Sequence, residues 1–159
     1  MAQTTSDPAG ELLRRANVRY NAARRRIVER LRTEQRPMSA DELRAAEPAI
    51  PYSSIYRTLA VLTTAGVLAR LAGVDGTARF ELTERVSGEH HHHLVCTDCG
   101  AMIPVVLPKQ VESGLSVAEC DARRCMGFVI DSHRVELLGR CRACLSIRPN
   151  RIVTEVSDG

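Results

Sequence analysis

Six cysteines and five histidines are the side chains here best suited to chemistry, and most stand in two dense clusters. Cys96-Thr97-Asp98-Cys99 and Cys141-Arg142-Ala143-Cys144 are two CxxC units with 41 residues between them. Two-residue spacing lets both thiolates of one unit reach a single ion, and two such units complete a tetrahedral four-sulfur site. The pattern points to a structural zinc ion on Cys96, Cys99, Cys141 and Cys144, with a redox pair or a buried cysteine cluster as the alternatives. The separation exceeds that of a zinc ribbon, so the ion would staple a larger fold; in small peptides such a site is worth roughly 10–16 kcal/mol. Cys120 and Cys125 fit neither unit and read as free thiols.

Four histidines are consecutive, His90 to His93, directly ahead of Leu94-Val95-Cys96, and the fifth is His133. In an extended segment successive side chains point to opposite faces. His91 and His93 then share one face and His90 and His92 the other, a geometry that serves two separate metal sites. The alternatives are a solvated histidine run or a tag remnant, and the internal position argues against a tag. A zinc hydrolase would need an open metal position and a general base. Glu81 or Glu89 could act as that base, but no HExxH unit is present, so the chain reads as a non-enzyme. A metal-storage module is the remaining competitor.

The elements that must position these residues are legible in outline. Leu12, Leu13 and Ala16 suggest a short first helix after a disordered lead of about eight residues. Asn21 can cap a second helix over 22–33, with Ile27, Val28 and Leu31 on one face and Arg24, Arg25 and Arg32 on the other. Ser39-Ala40-Asp41-Glu42 is a capping box opening a third helix that Pro48 ends. Pro51 precedes a fourth helix over 52–65, closed by Gly66. Its Ile55, Leu59 and Leu62 face the core, and Tyr52, Tyr56 and Thr63 form a neighbouring stripe beside Ser53 and Arg57. Residues 67–71 and 78–82 are two short strands around the turn Gly73-Val74-Asp75-Gly76. Helix, turn, helix and a two-stranded wing are the plan of a winged helix-turn-helix. The compact turn and the polar stripe on the fourth helix point to DNA binding, with a generic small helical domain as the alternative. Beyond it lie strands at 92–96, 102–106 and 127–139, and a helix from Pro108 through Val111 and Leu115.

The expected architecture is therefore α+β. A winged-helix DNA-binding domain (1–84) is followed by a hinge (85–89), an α/β dimerisation and metal-binding domain (90–148) and a tail (149–159). Of the 159 residues, 44% are hydrophobic and 26% charged, as in an ordinary globular protein. No apolar run approaches the roughly 18 residues that span a bilayer. The absence of a signal-peptide core makes a cytoplasmic location the expectation, where reduced thiols favour metal binding over disulfides. The net charge is +3, but residues 1–36 hold nine arginines against four acids, which suggests an anionic partner or solvated helix faces. Only 3% of residues are aromatic and none is tryptophan, which argues against a base-stacking single-strand binder.

The strings HHHHLVCTDCG and GFVIDSHRVELLGRCRAC, with Ser54-Ile55-Tyr56-Arg57-Thr58-Leu59 upstream, resemble the ferric uptake regulator family. Arg24, within NVRYNAARRRIV, matches an arginine of the family's N-terminal helix, and the likeness covers roughly residues 12–148. The resemblance implies a homodimeric repressor that binds double-stranded DNA at AT-rich inverted repeats when its sensor metal is bound. It needs neither a membrane nor a small organic substrate. By the same resemblance Tyr56 and Arg57, flanked by Ser53 and Ser54, face the major groove, and Arg19 enters the neighbouring minor groove. It implies a regulatory site of Glu81, His91 and His93, and a further site of His90, His92, His133 and Glu112. Three positions used as ligands by some members correspond to Pro37, the vicinity of Ala69, and Arg85–Val86. Water, Glu84 or Glu89 would then complete the regulatory site. The four histidines before Leu-Val-Cys are most like the zinc uptake branch, and Phe80-Glu81-Leu82-Thr83 is more like the iron sensors. The regulatory ion is accordingly expected to be Zn2+, with Fe2+ second, then nickel, manganese or a peroxide-sensing role.

Overall fold

The computed structural model describes residues 7–147, so the expected tail and all but the end of the expected lead lie outside the described residues. Asp7 and Pro8, assigned to that lead from sequence, instead begin helix α1 (Pro8–Arg15), because proline at the first turn is preorganised for a helix. Helix α2 (Ala22–Glu34) is capped as expected: the Arg24 N–H donates to the Asn21 side chain at 3.1 Å. Strand β1 (Met38–Ser39) leads into α3 (Ala40–Ala46) through a complete capping box. The Glu42 N–H donates to Ser39 Oγ at 3.1 Å, and the Ser39 N–H donates to Glu42 Oε2 at 2.7 Å. Helix α4 (Tyr52–Thr64) follows Pro51 and ends before Gly66 at φ +72°, the left-handed turn that glycine enters without strain.

Strands β2 (Leu68–Ala72) and β3 (Ala78–Leu82) form the wing, and α5 (Glu84–Ser87) follows at once. The sheet order is β1-β3-β2, with both pairings antiparallel. Two residues are too short a segment for any periodic signal, so β1 was not foreseen. The expected join at 85–89 is likewise partly helical, and its Val86 is buried in the core beside Leu13, Ile27, Leu31, Ile55, Leu59, Leu62, Val67 and Leu82.

Strands β4 (His92–Cys96) and β5 (Met102–Val105), helix α6 (Lys109–Met126), strand β6 (Glu136–Gly139) and helix α7 (Arg142–Ile147) make the second layer. Its sheet runs β5-β4-β6, with β4 antiparallel to β5 and parallel to β6. A parallel pair needs a long crossover, and α6 supplies it. Here the sequence reading needs correcting. Helix α6 runs on past Leu115, through Cys120 and Cys125, to the left-handed cap Gly127. Regular strand then begins only at Glu136 instead of Gly127, because β4 offers partners to residues 136–139 alone.

Much of the basic character of the N-terminal region is spent internally. Glu47 is buried and receives Arg26 at 2.8 Å and Arg30 at 3.0 Å. Arg14 and Arg15 pair with Glu11, Arg32 with Glu29, and Arg36 with Glu42. Burial alone would raise the Glu47 carboxyl, but the two guanidiniums outweigh it and the net shift is downward. A depressed carboxyl contributes stability above its unfolded pKa and loses it as the pH falls through the folded value.

The two layers meet along the wing. Leu71 of β2 packs with Val95 and Met102, all three buried. Beside them Arg79 clamps Asp75 through two 2.9 Å hydrogen bonds, which hold that carboxyl well below its usual range. This pair sits on Gly100, where φ is +69° and a Cβ would lie 2.6 Å from Asp75 Oδ2 and 2.7 Å from an Arg79 nitrogen. The left-handed φ favours glycine here, and its missing side chain leaves the Asp75–Arg79 pair room to lie close.

Two outcomes follow from this packing. Leu71→Ala is expected to cost about 2–5 kcal/mol at the contact and to speed hydrogen exchange in β2 and β3. Glu47→Gln is expected to lower stability by about 1–3 kcal/mol at neutral pH, with the gap to the unaltered protein closing below about pH 4. Urea midpoints at the two pH values check the sign.

Candidate metal centres and nucleic-acid interface

The pairing of Cys96 with Gly139 in the β4–β6 ladder brings the two CxxC units together. One sulfur from each of Cys96, Cys99, Cys141 and Cys144 lies within 4.8 Å of the others. Cys99 and Cys141 sulfurs are 3.8 Å apart, far beyond the roughly 2.05 Å of a disulfide. The Cys141 N–H donates to Cys96 Sγ at 3.3 Å and, with the Cys99 N–H, holds that thiol down to about 6. Cys144, beside the Cys141 and Cys99 sulfurs, is pushed up to about 12. Four converging sulfurs, one readily ionised and another resisting it, form a donor set that a divalent cation would neutralise, and all-sulfur tetrahedral sites suit zinc. Cys120 and Cys125 are exposed on α6 and outside this group, consistent with free thiols.

A second group joins the layers. Glu81 projects from β3, and its Oε2 lies 3.1 Å from His91 Nε2 and 2.9 Å from His93 Nε2. Burial raises the Glu81 carboxyl, but the two imidazoles outweigh it and the net shift is downward. Among the described residues these three make the whole group. Glu84, named from sequence as a completing ligand, turns instead toward His90, because α5 winds it to the opposite side of the wing's end. Glu89 lines a neighbouring cleft of about 700 Å3 with Glu81 and His91.

The third group is His90, His92, Glu112 and His133. His90 Nε2 is 3.2 Å from the Nε2 atoms of both His92 and His133. Glu112 reaches His92 Nε2 at 2.9 Å and His133 Nε2 at 3.4 Å. Three ring nitrogens and a carboxylate converge on one point, a set fit for zinc or another borderline divalent ion. Two rings are held from behind by carboxylates, Glu119 2.7 Å from His133 Nδ1 and Glu84 against His90 Nδ1. The Val135 N–H instead donates to His92 Nδ1 at 3.1 Å and leaves the neutral ring's proton on Nε2, facing Glu112. The alternation of residues 90–93 thus produces the two-and-two division expected from sequence. Glu112, whose register α6 alone decides, completes the second pair. Glu119 was missed, since one glutamate on an exposed helix carries no signal until His133 folds against it.

On the other layer, α4 presents Tyr52 and Tyr56, exposed and in edge contact at 5.4 Å between ring centres. Arg57 lies along the same face, donating to Ser53 O at 3.1 Å and Ser53 Oγ at 3.3 Å; Ser54 is half-buried beside Ile55. Arg19 is exposed on the loop between α1 and α2, and its carbonyl accepts a hydrogen bond from Arg24. Neither Arg19 nor Arg57 has a carboxylate partner among the described residues. Arg24, which donates to the Arg19 carbonyl, and Arg25, which lies over the Tyr20 ring, likewise have no carboxylate partner among the described residues.

A winged helix-turn-helix whose wing supplies a carboxylate to histidines of a second layer, in a group able to hold a metal ion, has the layout of a metal-responsive DNA-binding regulator. The chain belongs to the ferric uptake regulator family, whose sequence profile matches residues 15–138, and whose members are dimeric transcriptional regulators and not enzymes. It is 33% identical over 117 residues to the ferric uptake regulation protein of Bordetella parapertussis, covering 71% of this chain and 78% of that one. The ferric uptake regulator of Vibrio cholerae superposes with a TM-score of 0.64 at 26% identity, over 83% of this chain and 98% of that one. A zinc-bound manganese uptake regulator superposes with a TM-score of 0.61 at 28% identity, over 84% and 98%. Among the described residues no helix is long and apolar enough to cross a membrane.

Cys141→Ser is expected to abolish tight metal retention at the four-cysteine group and to free the β4–β6 edge. Metal content after chelation, read with the thermal midpoint, checks this: retention of one metal equivalent with an unchanged midpoint would contradict a structural site.

Proposed function

We propose that this protein is a zinc-responsive repressor that binds double-stranded DNA as a homodimer at AT-rich inverted repeats. In this reading a structural Zn2+ occupies Cys96, Cys99, Cys141 and Cys144. A regulatory ion is held by Glu81, His91 and His93, and a further one by His90, His92, Glu112 and His133. The observation that carries the proposal is Glu81, a wing residue whose carboxylate meets two histidines of the other layer at 2.9 and 3.1 Å. A cation there adds a strong bond between the DNA-reading part and the sheet. Imidazole and carboxylate donors suit zinc, and the four histidines before Leu-Val-Cys are most like the zinc uptake branch.

The chain's own residues account for the response. With Glu81 drawn to His91 and His93, the wing seats on Gly100 and the angle between α4 and the sheet is held. Two heads held at the spacing of two half-sites bind without first losing orientational freedom; heads left loose incur that cost on binding. Tyr56 and Arg57 face the major groove with Ser53 and Ser54 beside them, and Arg19 reaches the narrow minor groove of AT-rich DNA. Exposed Leu94, Ile103, Leu137 and Leu138 on the second sheet supply apolar surface for a second copy. A cytoplasmic setting fits six free thiols.

An iron-responsive reading is the second one, favoured by the carboxylate in the Glu81 group and by the Bordetella parapertussis relative named for ferric uptake.

The test is fluorescence anisotropy with an AT-rich inverted-repeat duplex and chelator-treated protein, adding Zn2+ or, anaerobically, Fe2+. Zn2+ is expected to restore binding, and Glu81→Ala to remove the response. Arg57→Ala should weaken the bound form by about tenfold or more, equivalent to roughly 1–3 kcal/mol for a lost base contact. Restoration by Fe2+ but not Zn2+ would select the iron reading, and indifference to both ions would defeat both.

A further inference from the structure

Three carboxylates stand near the His90–His92–Glu112–His133 group, but only Glu112 points into it. Glu119 lies behind His133, 2.7 Å from Nδ1, and Glu84 lies behind His90 in contact with Nδ1. In both rings Nε2 faces the group's interior. A carboxylate behind Nδ1 keeps the proton there, leaves the Nε2 lone pair free and makes that nitrogen a better donor to a cation. The two carboxylates differ in where they come from. Glu119 belongs to α6, in the same layer as His133. Glu84 opens α5, one residue beyond Thr83, in the part of the chain that carries the wing. That short helix is fastened to the DNA-reading side: Val86 is in its core, and Thr83 Oγ1 donates to Gly66 O at 2.9 Å.

We propose that Glu84 and Glu119 are positioning residues for this group, and that Glu84 makes it a second mechanical link to the wing, acting through the His90 ring. Glu81 and Glu84 are three residues apart and leave the same end of the wing. The first enters one group directly, and the second holds a histidine of the other from behind. A cation on His90 fixes the ring, the ring fixes Glu84, and Glu84 fixes α5. As a plain exposed ion pair the Glu84–His90 contact would contribute little. Its consequence comes from the metal-dependent orientation of the ring. The inference rests on the reading of these four residues as a metal centre.

The test uses the full chain in a Glu81→Ala background, which silences the neighbouring group, and follows Co2+ by its visible absorption. Hydrogen exchange of the segment 83–91 is measured with and without saturating Co2+. Glu119→Ala is expected to weaken Co2+ by about tenfold or more, the usual cost of losing such a partner, while α5 is still protected at saturation. Glu84→Ala is expected to weaken Co2+ similarly and to abolish the protection, with Glu84→Gln, which still accepts from Nδ1, restoring part of both. Unchanged protection in Glu84→Ala, with Co2+ spectroscopically bound, would overturn the link while leaving the metal centre standing. Absence of any Co2+ spectrum from the four residues would overturn both.

Discussion

Because successive residues of an extended chain point to opposite faces, residues 90–93 cannot send four imidazoles to one ion; they are divided two and two. β4 is the central strand of its sheet, paired along both edges, and His92 and His93 are each almost fully buried on opposite sides of it. One side meets Glu81 of the wing, and the other meets Glu112 and the ring of His133. The same strand ends at Cys96, so its register also sets the four-sulfur group. A one-residue slip would exchange the two histidine pairs and turn Cys96 away from Cys141.

The wing is held to the second layer by few things. Three apolar side chains and one clamped ion pair over Gly100 make the permanent contact. Contacts of that size between parts of a chain permit relative motion unless something reinforces them. The Glu81 group lies on the same boundary, where a cation's bonds are large beside the rest of the contact. In the proposed reading, a ligand placed on a wing strand is what would convert metal occupancy into head orientation.

Charge is partitioned in a comparable way. The arginines of α1 and α2 looked from composition like a nucleic-acid face, yet Arg26 and Arg30 serve buried Glu47, and Arg14, Arg15 and Arg32 pair along their own helices. What remains near these elements without a carboxylate partner is narrower: Arg24 and Arg25 at the start of α2, Arg19 on the loop before it, and Arg57 beside two tyrosines on α4.

Local chemistry was legible from residue order. The capping box at Ser39, the apolar spacing of α4, the two cysteine pairs and the alternation of residues 90–93 each depend on neighbours within a few positions, where backbone geometry dictates direction. Family membership was legible for the same reason, since its motifs are contiguous strings. Tertiary structure alone decided the rest. The length of α6 set which glutamates meet His92 and His133, β1 formed only because β3 offered it an edge, and α5 turned Glu84 from one histidine pair to the other. Each of these depends on where an element ends and what stands across from it. Such contacts join residues far apart in the chain, and no local periodicity records them.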